Sequence, residues 1–403
     1  MQHALCNTES VNLKEILGVL AALDVEALAA QEGYRLRRRK LPLTDQVALW
    51  LTARWSGGDA SLSTLALRRR QTHGDGFALT EQALSKDDCE RPWELFRDVF
   101  AQLASRADRR LRRWIRDLEI NILDASVIKG LAPSLARFFP LLGKQGTVLA
   151  RAKVHVLWNP DTGSAELKIT DANNNDGQHK DFIWPHVRRN SLLLFDLGYW
   201  DFGFLDEIHR RKAFFVTRVF PTNRPQTLEV FRWTRTFRDY RAKLDRYPQH
   251  PKRYTVRVIE QRQADGTWWR WCTNLMDMER YPAEAIIALY ARRWEVEVFF
   301  RLLKHVLGLK RLRSRNPNAV LVEIYLAFIA YLVVHWLLAE AARRYPLEPR
   351  RRYCLTRAAA LLGVIAVKLR ETVPHLLELI AEHCTLVLNK KRQHTRRLTC
   401  QVA

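Results

Sequence analysis

The chain has 403 residues, of which 66 are Lys or Arg and 43 are Asp or Glu, so its formal net charge is +23 at pH 7. Hydrophobic residues make up 47% of the chain and aromatic residues 10%. This excludes a disordered basic tail or a low-complexity chain, because both lack the apolar residues of a core. A basic surplus of this size favours a polyanionic partner, with nucleic acid as the commonest and an anionic membrane surface as the rival.

The cysteines and the first residues indicate a reducing compartment. The six cysteines are scattered without a Cys-x-x-Cys pair. Neither a structural zinc site nor a disulfide framework is therefore predicted, and the cytosol is favoured. The N-terminus shows no basic segment and no long apolar run, so we predict no signal peptide.

Residues 320–341 form an apolar segment that approaches the length of a membrane span. Glu323 and His335 interrupt it, and a central acid costs about 2.5–3.5 kcal/mol on insertion. We therefore predict a buried helix of a large domain. A peripheral membrane protein is the less favoured alternative.

The first third of the chain reads as helical. Apolar residues recur at near-helical spacing over residues 13–28, and Thr44 and Asp45 are typical of a helix start. Basic runs at residues 35–40 and 68–70 lie between the predicted helices. Such runs are either solvated helix faces or contacts to DNA, and the sequence leaves both interpretations open.

From residue 119 the pattern changes to alternating, β-branched segments, which predict strands. The predicted strands cover residues 119–124, 154–158, 165–170, 192–195, 213–218, 254–260 and 268–273. A helical interval at residues 182–187 separates the third strand from the fourth, and the chain after Pro282 reads as helical. This order predicts a mixed α/β sheet followed by a helical C-terminal region.

The most informative segment spans residues 290–304. On a continuous helix, Tyr290, Arg293, Glu297 and Lys304 would share one stripe roughly 60° wide. An ordinary amphipathic helix with an ion pair between Arg293 and Glu297 would show the same spacing. The stripe alone therefore leaves a structural and a functional interpretation open.

Two acids at strand ends favour the functional interpretation. Asp124 closes one predicted strand and Asp196 follows another. Strand-end acids of an α/β sheet converge at one edge, where a packed helix can add Glu297. Three carboxylates repel one another unless cations hold them, and hard oxygen ligands suit Mg²⁺. Two such ions about 3.5–4 Å apart can activate an attacking water or 3′-hydroxyl and stabilise the leaving oxygen of a phosphodiester.

Other acids compete with Asp196 for the second position. Asp171 and Asp176 flank an Asn-rich loop and read as turn formers, and Asp201 lies away from the predicted strand end. Asp196 is preferred because of its placement at the end of a strand.

The spacing Tyr290-x2-Arg293-x3-Glu297-x6-Lys304 resembles the Y-R-E-K signature of DDE transposases of the IS-four insertion-sequence family. The residues around Asp124 resemble the first-aspartate region of that family, and Asp196-x-Gly-Tyr resembles the second. The resemblance covers roughly residues 124–304. It implies an α/β fold in which an RNase H-like mixed-sheet core carries a β-rich insertion, with helical N-terminal and C-terminal regions.

The resemblance also implies roles for individual residues. Asp124, Asp196 and Glu297 would be the catalytic, metal-binding triad, holding two Mg²⁺ ions with Mn²⁺ as a substitute. Tyr290, Arg293 and Lys304 would contact DNA phosphates, Trp294 would support an extruded nucleotide, and Trp269 would stack against a flipped base. For Trp269, alternation along a strand is an equally simple explanation.

The implied organisation has three parts. Residues 1–110 would be a helical region that recognises transposon ends, and residues 111–310 would be the catalytic domain with an insertion at about 205–280. Residues 311–403 would be a helical region that completes the core and could dimerise. The implied activity is cut-and-paste DNA transposition by a cytoplasmic, nucleoid-associated homodimer acting on transposon ends and target DNA, without a membrane partner. The alternative is a catalytically inactive, sequence-specific DNA-binding regulator derived from a transposase.

Overall fold

The computed structural model describes residues 25–31, 33, 42–55, 61–63, 65–67, 80–111, 118–143, 146–173, 175–220, 222–244, 254–310, 312–348, 351–367 and 376–387. The leucines before residue 25, the basic runs at 35–40 and 68–70, and the side chains of Thr44 and Asp45 lie outside this description. The chain divides into two compact units, one formed within residues 1–110, 128–151 and 300–388, the other within 111–127, 152–299 and 389–403. The three-part functional division stays a prediction.

The strands in chain order are β1 (Glu119–Ile128), β2 (Pro140–Leu142), β3 (Val148–Ala150), β4 (Ala152–Trp158), β5 (Ala165–Asp171), β6 (Ser191–Phe195), β7 (Phe214–Arg218), β8 (Gln226–Trp233), β9 (Phe237–Leu244), β10 (Tyr254–Arg262), β11 (Trp268–Thr273), β12 (Arg351–Tyr353) and β13 (Thr385–Val387). The α-helices are α1 (Val25–Gln31), α2 (Leu43–Trp55), α3 (Glu81–Glu90), α4 (Trp93–Leu111), α5 (Phe202–Arg210), α6 (Ala283–Ala291), α7 (Glu295–His305), α8 (Pro317–Arg344), α9 (Leu355–Val367) and α10 (Leu376–His383).

Nine strands of the second unit form one mixed sheet in the order β5-β4-β1-β6-β7-β11-β10-β9-β8. Strands β1, β6 and β7 are parallel neighbours, and α5 connects β6 to β7. All five side chains of β6 are buried, as expected of a parallel strand covered on both faces. Phe204 of α5 packs against Phe195 of β6, with ring centroids 5.2 Å apart. The mixed α/β architecture predicted from the sequence is confirmed, and the order of the first five strands is RNase H-like.

The β-rich insertion continues the same sheet. Strands β11, β10, β9 and β8 follow β7 in turn, each antiparallel to its neighbour. Arg257 of β10 ties the insertion together, because its Nε and Nη2 atoms donate to the Asp239 carboxylate at 2.8 and 2.6 Å. The sequence analysis placed β7, β10 and β11 but missed β8 and β9, in which charged residues interrupt the apolar pattern.

The long helix α8 belongs to the first unit and contains the apolar segment that approached the length of a membrane span. Within the part of the chain that the structure describes, it is the one helix long and apolar enough to cross a membrane, and 83% of its most apolar window is buried. Glu323 Oε2 forms an ion pair with Arg54 Nη2 at 3.4 Å within this unit. These features are those of a helix buried in a protein core.

Three local predictions are corrected by the structure. The strand containing Asp124 does not end there but continues to Ile128, past the end of its pairing with β6, and β4 is its other neighbour in the sheet. The helical interval at residues 182–187 is a 3₁₀-helix, Asp181–His186. Residues 290–304 are not one helix, since a 3₁₀ turn over Arg292–Trp294 separates α6 from α7. Three residues at the tighter 3₁₀ pitch rotate the following side chains by roughly 60° from the continuous-helix positions.

A pH dependence of stability follows from a buried acid of the first unit. Asp88 of α3 accepts hydrogen bonds from Gln46 Nε2 and Trp50 Nε1, and burial raises its pKa to about 7. A raised carboxyl pKa means that folding is most stable below the ordinary pKa near 4 and loses stability as the pH rises towards 7, by an amount of order a few kcal/mol.

We therefore expect the thermal midpoint to fall between pH 5 and pH 8, and Asp88→Asn to remove most of that fall. The exposed Glu90→Gln on the same helix is the matched control. Equal pH profiles for Asp88→Asn and the parent chain would contradict this assignment.

Candidate active site

The register of the parallel strands brings Asp124 and Asp196 together. Leu123 of β1 pairs with Phe195 of β6, so the next residue on each chain segment is an aspartate, and the two lie side by side. Asp124 Oδ1 accepts a hydrogen bond from Ala125 N at 2.8 Å, and Asp196 Oδ1 accepts one from Gly198 N at 2.9 Å. Both carboxylates are thus oriented by backbone groups directly after them.

Steric crowding favours glycine at position 198, two residues after Asp196. A Cβ atom on Gly198 would lie 3.1 Å from Asp196 Oδ1 and 3.4 Å from Asp176 Oδ2. A larger residue here would push these two carboxylates aside by a few tenths of an ångström, so glycine leaves them undisturbed. The same geometry shows that Asp176 lies beside the site, where its Oδ1 pairs with Lys153 Nζ at 3.0 Å.

Arg293 links the strand acids to the helix acid. Its Nη1 atom lies 3.2 Å from Asp124 Oδ2, and its Nη2 atom lies 3.5 Å from Glu297 Oε1. The guanidinium occupies the space between the two carboxylates and is almost completely buried. Arg293 therefore links Asp124 to Glu297, two acids that are far apart in sequence, and Asp196 stands beside Asp124.

The 3₁₀ turn that presents Arg293 is fixed by its neighbour Arg292. Arg292 Nη2 donates to Asp161 Oδ1 at 2.9 Å, and its Nε donates to Glu295 Oε1 at 3.0 Å. Asp161 belongs to the turn between β4 and β5. At the end of the same hairpin, Trp158 stacks on Phe299 of α7 with ring centroids 4.9 Å apart. The β4–β5 hairpin thus anchors the start of α7 and with it Glu297.

The surroundings of Asp124 disfavour its charged form. Burial raises the pKa of Asp124 to about 6. The Ala125 amide and Arg293 oppose this rise, whereas the neighbouring Asp196 and Asp176 add to it. Partly buried carboxylates that repel one another are a donor set suited to a hard divalent cation. Among the described residues no three acids already stand in coordinating geometry, because Arg293 lies between Asp124 and Glu297.

Of the remaining predicted site residues, three lie in the second unit and one lies in the first. Tyr290 is buried at the end of α6, and Arg293 Cζ lies 5.9 Å from its ring centroid. Trp294 is 56% exposed, with Arg293 Cζ 5.0 Å from its ring. Trp269 of β11 is 44% exposed. Lys304 lies in the other unit, near the end of α7, where burial and then Lys129 and Lys310 lower its pKa.

Sequence reasoning missed Arg218, which completes a row across three strands. Leu194 of β6 pairs with Val216 of β7, so Arg218 stands level with Asp196 and thus with Asp124. Its Cζ atom lies 5.0 Å from the Trp269 ring, and its pKa is lowered by burial despite an opposing effect of Tyr290. A basic residue at the end of the strand after the second aspartate was the available signal.

Arg292 generates a prediction about stability. Arg292→Met leaves Asp161 and Glu295 without their shared partner, which we expect to cost roughly 2–4 kcal/mol, less than a fully buried pair because Glu295 is partly exposed. The measurement is the thermal midpoint at pH 7, with the exposed Arg210→Met as matched control. If both variants lost the same stability, Arg292 would not anchor the turn.

Comparison with known proteins identifies the family. Residues 117–333 match the family described as "Transposase DDE domain". The chain is 30% identical over 263 residues to y4zB of Sinorhizobium fredii, a protein named as a transposase, covering 63% of this chain and 70% of that protein. It is 25% identical over 332 residues to a protein of Geobacillus stearothermophilus named as a transposase for insertion sequence element IS5377, covering 80% and 83%.

A further relative carries the name of the insertion-sequence family expected from the motifs. The chain is 27% identical over 167 residues to transposase InsG for insertion sequence element IS4 of Escherichia coli, covering 38% of this chain and 36% of that protein. The matched family region spans more than half of the 403 residues and contains Asp124, Asp196 and Glu297. This chain therefore belongs to the DDE transposases of insertion sequences.

Proposed function

We propose that this transposase moves its insertion sequence by a cut-and-paste route, in which metal-dependent hydrolysis at the transposon ends is followed by strand transfer into target DNA. The observation that carries the proposal is that Asp124 and Asp196 lie side by side on adjacent parallel strands, while Arg293 links Asp124 to Glu297 of α7. A catalytically inactive regulator has no need of three oriented carboxylates.

Asp124, Asp196 and Glu297 would hold the divalent cations, and their all-oxygen donor set fits Mg²⁺, with Mn²⁺ as a substitute. When bound, two such ions supply an activated oxygen nucleophile and stabilise the leaving oxygen. The cations would also relieve the repulsion and the burial that raise the pKa of Asp124. Glu297 is free to approach once Arg293 no longer pairs with it.

Arg293 would exchange its carboxylate partners for a DNA phosphate. Its planar fork suits two oxygens of a phosphate as well as two oxygens of carboxylates. Tyr290, packed beside the guanidinium, would orient it, and Lys304 would add a point charge to the phosphate contacts. The lysines that surround Lys304 leave a positive region that a DNA backbone can neutralise.

The exposed tryptophans would receive bases rather than phosphates. Trp294 and Trp269 each present about half of their surface to solvent, and each ring is supported by a guanidinium, Arg293 in one case and Arg218 in the other. An extruded nucleotide could stack on Trp269 and be supported by Trp294, with stacking worth about 1–3 kcal/mol per base. Residues 1–110 would recognise the transposon ends, and a homodimer would pair two ends in the cytoplasm.

Glu297→Gln provides the direct test of the catalytic assignment. The substitution removes the carboxylate charge with little change of volume, so we expect end cleavage to fall to background while end binding remains. The assay is nicking of a supercoiled plasmid that carries the element's own ends, with Mg²⁺, with Mn²⁺, and with EDTA.

Glu284→Gln is the matched control, because Glu284 is an exposed acid on α6 that pairs with Arg232 away from the cluster. Normal cleavage by Glu297→Gln, or cleavage that persists in EDTA, would contradict the proposed chemistry.

Lys304→Ala tests the phosphate contacts. Loss of one phosphate contact should weaken DNA binding and reduce the slope of log affinity against log salt by about 0.9. The slope is measured by fluorescence anisotropy at several salt concentrations, with the exposed Lys86→Ala of α3 as control. An unchanged slope would show that Lys304 makes no phosphate contact.

A further inference from the structure

The insertion strands β8–β11 carry a second cluster of aromatic and cationic side chains, on the face of the sheet opposite Trp269. Side chains alternate along β11, so Trp268 and Arg270 point away from the face that bears Trp269 and Trp271. Together with residues of β7, β9 and β10 they line a pocket, which we call the insertion pocket. Its lining residues are Arg218, Val219, Arg238, Glu260, Trp268 and Arg270.

The insertion pocket lies just beyond the sheet edge that holds the catalytic acids. Arg218, level with Asp196, pairs across the sheet with Trp271 of the antiparallel strand β11. Residues 268–270 therefore extend past the end of β7, up to about 10 Å beyond the row of acids at 3.3 Å per residue. A strand leaving the acids can pass over this edge to the pocket.

The pocket has more positive than negative charge. Its single carboxylate, Glu260, is nearly inaccessible and accepts from Arg238 Nη1 at 3.1 Å, Arg270 Nε at 2.9 Å and Tyr240 Oη at 3.1 Å. Two arginines thus share one acid, whereas Arg218 lines the rim of the pocket and stacks its guanidinium on Trp269 and Trp271 at the opposite face. The Nε atom of Arg238 is buried with no hydrogen-bond partner among the described residues. An anion, and not a further cation, is the ligand that balances this pocket.

An exposed indole lies at the same place. Arg238 is held between two tryptophans, with its Cζ atom 4.4 Å from the Trp233 ring and 4.3 Å from the Trp268 ring. Trp233 ends the edge strand β8 and is 52% exposed. One ring face is therefore supported by a guanidinium, while much of the side chain remains accessible to a flat ligand.

We propose that the insertion pocket binds single-stranded DNA, with a backbone phosphate against Arg238 and Arg270 and an adjoining base stacked on Trp233. The pairing of an anion site with an accessible indole fits a nucleotide better than a free phosphate. Bases in a duplex stack on one another and cannot stack on Trp233, which favours a single strand. The proposal rests on the proposed function, since end cleavage is what would produce such a strand beside the acids.

The test compares single-stranded and duplex DNA on the full chain. The probes are fluorescein-labelled oligo-dT and a duplex of equal length, and the readout is fluorescence anisotropy. We expect Trp233→Ala and Arg270→Gln to weaken oligo-dT binding about tenfold each and to leave duplex binding within about twofold. Matched controls are the exposed Val230→Ala on the same strand and Arg210→Gln, an exposed arginine outside the pocket.

Trp233 is exposed on an edge strand, so Trp233→Ala keeps the test informative if Arg270→Gln fails to fold. Unchanged oligo-dT affinity of Trp233→Ala would overturn the proposal. An equal loss on the duplex would also overturn it, because the pocket would then be a duplex backbone contact. A parent chain that binds oligo-dT through the pocket but cuts no plasmid would instead contradict the proposed function and leave the pocket assignment intact.

Discussion

Electrostatic repulsion between carboxylates in a partly buried site is the constraint on which the rest of the second unit depends. Parallel pairing of β1 with β6 forces Asp124 next to Asp196, and burial makes the charge of Asp124 costly. Arg293 supplies the compensating charge and also reaches Glu297. A guanidinium that pairs with two carboxylates in this way compensates their charge without a bound ligand.

The nine-stranded sheet brings together two groups of side chains that lie in separate segments of the sequence. Its parallel part sets the position of the acids, and its antiparallel part carries arginines and tryptophans to the same edge. Because both parts share continuous hydrogen bonding, the distance between the acids and the aromatic residues is fixed by strand register. Arg218 stands at the junction, level with Asp196 and beside Trp269.

The positions of the positive charges say more about what this surface can bind than the net charge does. Two arginines stack on indole rings: Arg218 lies over Trp269, and Arg238 lies over Trp233 and Trp268. Stacking holds a guanidinium in place without neutralising its charge, and the one acid that pairs with Arg238, Glu260, is shared with Arg270. The net charge of +23 is thereby partly organised into surfaces that suit a polyanion with flat bases.

The sequence by itself determined the class of fold and predicted the candidate acids. Alternating and short apolar runs that end in aspartate predict strands whose carboxylates meet at one edge of an α/β sheet, because buried strands leave an apolar signal in the sequence. Only the tertiary structure decided the details of the site: the continuation of β1 past Asp124, the 3₁₀ turn at Arg292, and the pairing of Arg292 with Asp161, 131 residues away. Long-range ion pairs leave no periodicity, and the exposed edge strand β8 has no buried face to reveal it.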